Sequence, residues 1–192
     1  MNRDGYIYSI VFTFLLTAFF TAVLAITQAA FLPAITRNEE NVQQRAIAKV
    51  LGIEGEDLTE VFAQQVTQQL VGETPVYTVY NQDGTPKGHA FLLSGQGLWG
   101  SIRGYIGLSA SFDQLLGIEF VEQNETPGLG GRIDEAWFKD QFSGLPVTPG
   151  TPINYGDGLD AITGATSSSN AVLRIVNDTL CDIFALQEVM TP

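Results

Sequence analysis

The sequence predicts an α+β protein: an N-terminal transmembrane helix followed by one domain with a mostly antiparallel sheet flanked by helices. Three observations carry this expectation. No charged residue occurs between Gly5 and Thr36. Between residues 76 and 123, short strand-like segments are separated by glycine-bearing turns. The C-terminal stretch carries an apolar stripe at helical spacing. At 192 residues the chain is long enough for one domain plus an appendage, and too short for two ordinary domains.

Residues 1–5 form a short N-terminal flank. Residues 6–32, YIYSIVFTFLLTAFFTAVLAITQAAFL, exceed the run of about 20 apolar residues that a helix needs to cross a bilayer. Tyr6 and Tyr8 sit at the margin where amphipathic aromatics favour the headgroup level, and Pro33 marks the other end. The competing reading is a cleaved signal peptide, with small residues near Val23-Leu24-Ala25. Signal sequences, however, have apolar regions of about 7–15 residues after a basic start, whereas here Arg3 is offset by Asp4. Taken alone, Arg37, Arg45 and Lys49 on one side against Arg3 on the other would put the C-terminal domain in the cytoplasm.

Residues 33–72 read as a stalk and helical linker. RNEENVQQRAIAK (37–49) is a polar helix, LGIEGED (51–57) is a break, and 58–70 places Leu58, Val61, Phe62, Val66 and Leu70 near helical spacing. Gly72 to Pro75 stops that helix. The domain proper is residues 73–192. Strands are predicted at 76–80, 89–93, 102–110 and 115–123, with a turn at 81–84. A short helix over 134–144 closes at Gly144, and 148–158 is a Pro/Gly-rich loop. The last helix begins near Asn170, with Val172, Ile175, Val176, Thr179, Leu180, Ile183 and Phe184 on its apolar side.

The net charge of −12 lies almost wholly in the C-terminal part. An acidic surface disfavours nucleic-acid binding and offers no polybasic patch for anionic lipid. With one cysteine, Cys181, there is no intrachain disulfide and no multi-cysteine metal site; its place in a helix pattern predicts a small buried hydrophobe. His89 is the sole histidine, which leaves His-based metal sites and Ser-His-Asp triads little to build on. No catalytic side chain and no metal site is assigned. Any chemistry belongs to a bound cofactor.

Three motifs remain. Gly95-Gln96-Gly97-Leu98-Trp99-Gly100 satisfies the G-x-G-x-x-G pattern, yet a strand-like SIRGYIGL follows where a dinucleotide loop needs a helix; the alternative is a strand corner with Trp99 as a packing anchor. Glu125-Thr126-Pro127-Gly128-Leu129-Gly130-Gly131 reads as a tight turn, either a plain surface turn or the polar edge of a site for a flat ligand. Asp160-Ala161-Ile162-Thr163-Gly164-Ala165-Thr166-Ser167-Ser168-Ser169-Asn170 places five hydroxyls within residues 163–169, just before a helix. Capping and phosphate binding use the same N–H groups there, and both readings stand.

DAITGAT (160–166) resembles the flavinylation motif of the FMN-binding domain family, whose members include NqrC of the sodium-translocating NADH:quinone oxidoreductase (Nqr) and RnfG of the Rnf electron-transport complex. ETPGLGG (125–131) is similar to the family's second signature, and GLW (97–99) and Trp137-Phe138 also fit. Thr163 stands where many members carry Ser. The resemblance implies FMN joined through its phosphate to Thr166 by a flavin transferase that recognises Asp160, Thr163, Gly164 and Ala165. It also implies further cofactor contacts at Ser167 and at Glu125, Thr126, Pro127, Gly128, Leu129 and Gly130. The expected role is an electron-transfer subunit anchored in the inner membrane by residues 6–32, with its flavin domain on the periplasmic face. Its partners would be the other subunits of an Nqr- or Rnf-like complex; which of the two stays open. The alternative is an anchored, non-redox module that binds flavin or another phosphate ligand in a sensor or assembly factor.

Overall fold

A computed structural model of the chain describes residues 3–53, 58–81, 83–156 and 158–190. It divides into two compact units, Met1–Asn41 and Val42–Pro192. Helix α1 (Arg3–Val50) begins in the first and ends in the second. The expected helix end at Pro33 is not found. Proline removes one N–H donor and crowds the carbonyl four residues earlier. Each further residue of a nucleated helix still gains a bond, and good helix formers such as Gln28-Ala29-Ala30 and Arg37 to Glu40 flank the site. In the first unit residues 5–40 are exposed, apolar side chains included, and the apolar part is long enough to cross a membrane.

The second unit is built on a five-stranded antiparallel sheet in sequential order, β1 (Val66–Val71), β2 (Thr74–Tyr80), β3 (Pro86–Gln96), β4 (Ser101–Ser109) and β5 (Leu115–Glu122). The four predicted strands are all present, but β1 replaces the second half of an expected helix. Helix α2 (Leu58–Gln65) stops at Gln65, and Val66 to Val71 pair with β2 instead. Cross-strand bonding outweighs a helical spacing that only Val66 and Leu70 extend, and Gly72 supplies the positive φ of the connecting turn. The predicted break at 51–57, turn at 81–84 and loop at 148–158 fall partly outside the described residues.

Both faces of the sheet are covered. On one, Ile47, Val50 and Leu51 of the α1 end and its exit pack with Tyr77, Val79, Ala90 and Tyr105. On the other, Phe91, Leu93, Ile102, Ile106 and Phe120 meet Ile133, Phe138 and Phe142, together with Val172, Ile175, Val176, Leu180 and Ile183 of a C-terminal helix (Thr166–Met190). Two glycines set how closely these layers approach: a Cβ on Gly107 would strike the Val50 carbonyl, and one on Gly95 would strike Ile175. A 3-10 turn (Gly130–Asp134) and helix α3 (Ala136–Asp140) link β5 to the loop before the C-terminal helix, α4. Lys139, buried on α3, donates to Glu119 at 2.7 Å and Asp134 at 2.8 Å, fixing α3 to β5. Burial alone would lower its pKa, but those two acids outweigh burial and leave it raised.

Two residue readings change. Cys181 is exposed, not buried, because it lies about 150° round the helix from the middle of the stripe. Helix α4 begins at Thr166 and not near Asn170, so four of the five hydroxyls, Thr166 to Ser169, form its first turn.

His89 is a core residue. It is buried, stacks on Phe112 with centroids 4.8 Å apart, and its Nδ1 lies 2.9 Å from Thr78 Oγ1. Burial lowers its pKa, so the native state resists a proton that the unfolded chain accepts below about pH 6.5. Stability is therefore complete above that pH and declines as the pH falls through it. We expect the urea midpoint to drop between pH 7 and pH 5 in the parent, and the drop to be smaller in His89→Gln.

Candidate functional site

Three segments distant in sequence converge at one end of the sheet. The first is the β3–β4 hairpin tip, closed by Gly97 N–H donating to Gly100 O at 2.8 Å. It carries Leu98 and Trp99 outward, 55% and 70% exposed. Trp99 is thus no packing anchor: hairpin geometry sends a tip side chain away from the sheet. Ser101 opens β4, so the helix that a dinucleotide loop requires is not there.

The second segment follows β5. Leu129 N–H donates to Thr126 O at 3.1 Å across Pro127 and Gly128, and Gly128 has φ +75°. Proline then glycine at the two central positions is the sequence of a type II turn. Gly131 N–H also donates to Thr126 O, at 2.9 Å, folding the loop back on itself.

The third is the turn entering α4. Ala165 N–H donates to Ile162 O at 3.0 Å, and Gly164 takes φ +83°. Ser169 Oγ accepts from Ile162 N–H at 3.0 Å and donates to Ala165 O at 3.1 Å, while Tyr155 donates to Ser169 O at 2.6 Å. One of the five hydroxyls, that of Ser169, therefore has a structural role, tying the entering turn to the helix. Thr166 and Ser167 stay exposed on the first turn, where main-chain N–H groups have no helical carbonyl to pair with.

One buried side chain joins all three. Glu125, 4% exposed, accepts at Oε1 from the N–H groups of Leu98 (2.8 Å) and Trp99 (3.1 Å). Its Oε2 accepts from Ser168 Oγ, itself buried. The segments enclose a cleft of about 460 Å³, within the range of small-molecule sites. Leu98, Trp99 and Leu129 give it apolar walls, and Gly164 to Ser168 a polar end.

Of the residues singled out in the sequence, Thr166, Gly164, Ala165, Ser167, Glu125, Thr126, Leu129 and Gly130 line this cleft. Asp160, Thr163, Pro127 and Gly128 do not, although all four are exposed nearby in the same loops. Asp160 N–H donates to Gln141 Oε1 at 2.7 Å, which fixes the loop backbone and leaves the side chain at the surface. Leu98, Trp99 and Ser168 line the cleft too, beyond the contacts expected from the sequence. The sequence signal for the first two is the GLW (97–99) resemblance; their exposure comes from the hairpin geometry. Among the described residues that line the cleft there is no Lys or Arg, and Glu125 is the one charged group.

Residues 97–181 match the family profile described as "FMN-binding domain". That segment is similar to the FMN-binding domain family. The chain is 28% identical over 173 residues to the G subunit of the ion-translocating oxidoreductase complex of Methanosarcina acetivorans, covering 90% of this chain and 91% of the relative. It is 35% identical over 138 residues to the G subunit of the Na(+)-translocating ferredoxin:NAD(+) oxidoreductase complex of Acetobacterium woodii, 68% of this chain and 58% of that one. With the C subunit of the Na(+)-translocating NADH-quinone reductase of Pasteurella multocida it shares 34% identity over 108 residues, 50% of this chain and 42% of the relative. The chain thus spans most of the Methanosarcina protein and under half of the Pasteurella one. In three dimensions it resembles the crystal structure of Shewanella oneidensis NqrC, with a TM-score of 0.66 at 16% identity, covering 80% of this chain and 99% of that one. Over that part the chain therefore shares its fold with NqrC.

Gly164 has open space around it, but its positive φ disfavours any Cβ. Gly164→Ala is expected to lower unfolding stability by about 1–2 kcal/mol, measured by urea titration.

Proposed function

We propose that the chain is a membrane-anchored electron-transfer subunit carrying FMN covalently on Thr166 Oγ1, within an ion-translocating NADH:quinone or ferredoxin:NAD oxidoreductase complex. The observation that carries this reading is the convergence of the 125–130 loop and the Thr166 helix terminus on one cleft. The residues suit FMN on chemical grounds. The N–H groups of the first turn of α4, with the positive end of the helix dipole, suit a phosphate. Leu98, Trp99 and Leu129 suit an apolar ring system, and Thr126 and the loop backbone suit its polar edge.

The charge pattern favours a covalent link. A phosphate monoester bound reversibly beside a buried carboxylate, with no Lys or Arg among the described lining residues, would be weakly held. Attachment through a phosphodiester leaves one negative charge on the phosphate instead of about two. In the attachment step a flavin transferase would direct the Thr166 hydroxyl onto the FMN phosphorus of FAD, with AMP leaving. Thr166 is exposed, as an acceptor for a second protein must be, and Gly164 beside it leaves the approach open. The exposed side chains of Asp160 and Thr163 are then surface features for the transferase to read.

Bound there, FMN supplies electron exchange in steps of one or two. The protein contributes binding, orientation and the local field. Residues 6–32 would anchor the subunit, with the FMN-binding domain on the external face as the family resemblance implies. The anchor has no ionisable side chain inside its apolar run apart from the tyrosines at its margin, so ion movement would fall to partner subunits. The relatives that are subunits of redox complexes support this assignment of partners.

The decisive measurement is in-gel flavin fluorescence of the denatured full chain produced with a flavin transferase. The parent band should fluoresce, and Thr166→Ala should be dark. Flavin that leaves the parent on denaturation would favour the reversible, non-redox module instead.

A further inference from the structure

We infer that Glu125 is the positioning residue of the cleft: it locks the three segments into one geometry and places a negative charge in the cleft wall that lowers the flavin's reduction potential. The clamp stands on geometry alone; the effect on potential rests on the FMN reading above.

Glu125 is the point where distant parts of the chain meet. Its two oxygens together accept from Leu98, Trp99 and Ser168. These donors lie 27, 26 and 43 residues away, so no local turn preference can replace the contact. Glu125 N–H donates in turn to Gln123 Oε1 at 2.8 Å, which sets the strand exit from which the side chain projects. Two glycines make room for the carboxylate. A Cβ on Gly97 would meet Oε1, and one on Gly130 would meet Oε2 and the Ser168 hydroxyl. Two of the motif glycines are thus accounted for by a carboxylate between them.

Among the described residues none of the ion pairs includes Glu125. Its donors are neutral dipoles, which support the anion without cancelling its charge. In a buried site such a charge acts at longer range than in water. Reducing a flavin adds negative charge, so a fixed anion in the wall disfavours reduction. In a Glu125→Gln variant the side-chain amide can still accept both main-chain N–H groups at its carbonyl and donate to Ser168. That substitution therefore keeps the shape and removes the charge.

The test has two arms on the full chain in detergent. In the first, Thr166→Ala protein without covalent flavin is compared with and without Glu125→Ala by hydrogen exchange. The peptide covering residues 97–100 should exchange at least tenfold faster in the Glu125→Ala protein, while central β3 and β4 peptides stay unchanged. If Glu125→Ala does not fold, Ser168→Ala removes one donor and should speed exchange of the same peptide to a smaller extent. Unchanged exchange at 97–100 overturns the clamp. In the second arm, the flavin-bearing fraction of Glu125→Gln should show a more positive midpoint potential than the parent in a redox titration. An unchanged or more negative potential overturns the charge effect. Absence of flavin from the parent would remove the proposed function and the charge effect together, while the exchange arm would still decide the clamp.

Discussion

A carboxylate removed from water must have its lone pairs satisfied by the protein, or the fold that buries it is strongly penalised. Glu125 meets that demand with two main-chain amides from the β3–β4 tip and one hydroxyl from α4. Satisfying it therefore brings that tip, the loop after β5 and the start of α4 together. The cleft is what remains between three segments that share one acceptor. Its polar end lies at the helix terminus because Ser168 must reach Glu125, and this sets Thr166 and Ser167 on the exposed side of the same turn.

The sheet and its two covering layers make this meeting point stiff. Helix α4 cannot slide along β3, because Ile175 rests where a side chain on Gly95 would stand, and Arg174 donates to Gln96 O at 2.7 Å. Asn177 exchanges two hydrogen bonds with the Ile153 backbone, at 2.8 and 3.0 Å, about one turn further along the helix. On the opposite face, Gly107 admits the Val50 carbonyl and seats the end of α1 on the sheet. The cleft-forming segments thus spring from rigid supports, which is the arrangement that holds a site in one geometry.

Much of this is legible in the sequence, for local reasons. The strands show themselves by alternation and by bounding glycines, and Pro127-Gly128 specifies its turn through φ preferences that need no tertiary context. Gly164 and the hydroxyls after it mark a helix terminus. What is not legible depends on partners far along the chain. Val66 and Leu70 continue a helical spacing, and only the presence of β2 converts them to strand. Pro33 is a local stop signal that two flanking helical segments override. The size and apolarity of Trp99 suggest a buried anchor, and its exposure follows from its place on a hairpin tip. The motif marks Glu125 as a ligand contact, whereas both of its oxygens turn toward the protein, a fact that needs Leu98, Trp99 and Ser168 in view together.

The inward carboxylate and the lack of a cation among the described lining residues bear on one another. A site that gripped free FMN by affinity would gain from a Lys or Arg at the phosphate and from the removal of any nearby anion. Neither feature is found among the described residues of this cleft. The groups proposed to hold its phosphate are helix N–H donors, which contribute modestly and orient well. The proposed covalent bond would make strong non-covalent retention unnecessary, and would leave the cleft free to carry a negative charge whose effect falls on the flavin's electronics. The sparse electrostatics of the site would then follow from tethering: once a bond to Thr166 holds the cofactor, the remaining groups need only position the ring and set its potential.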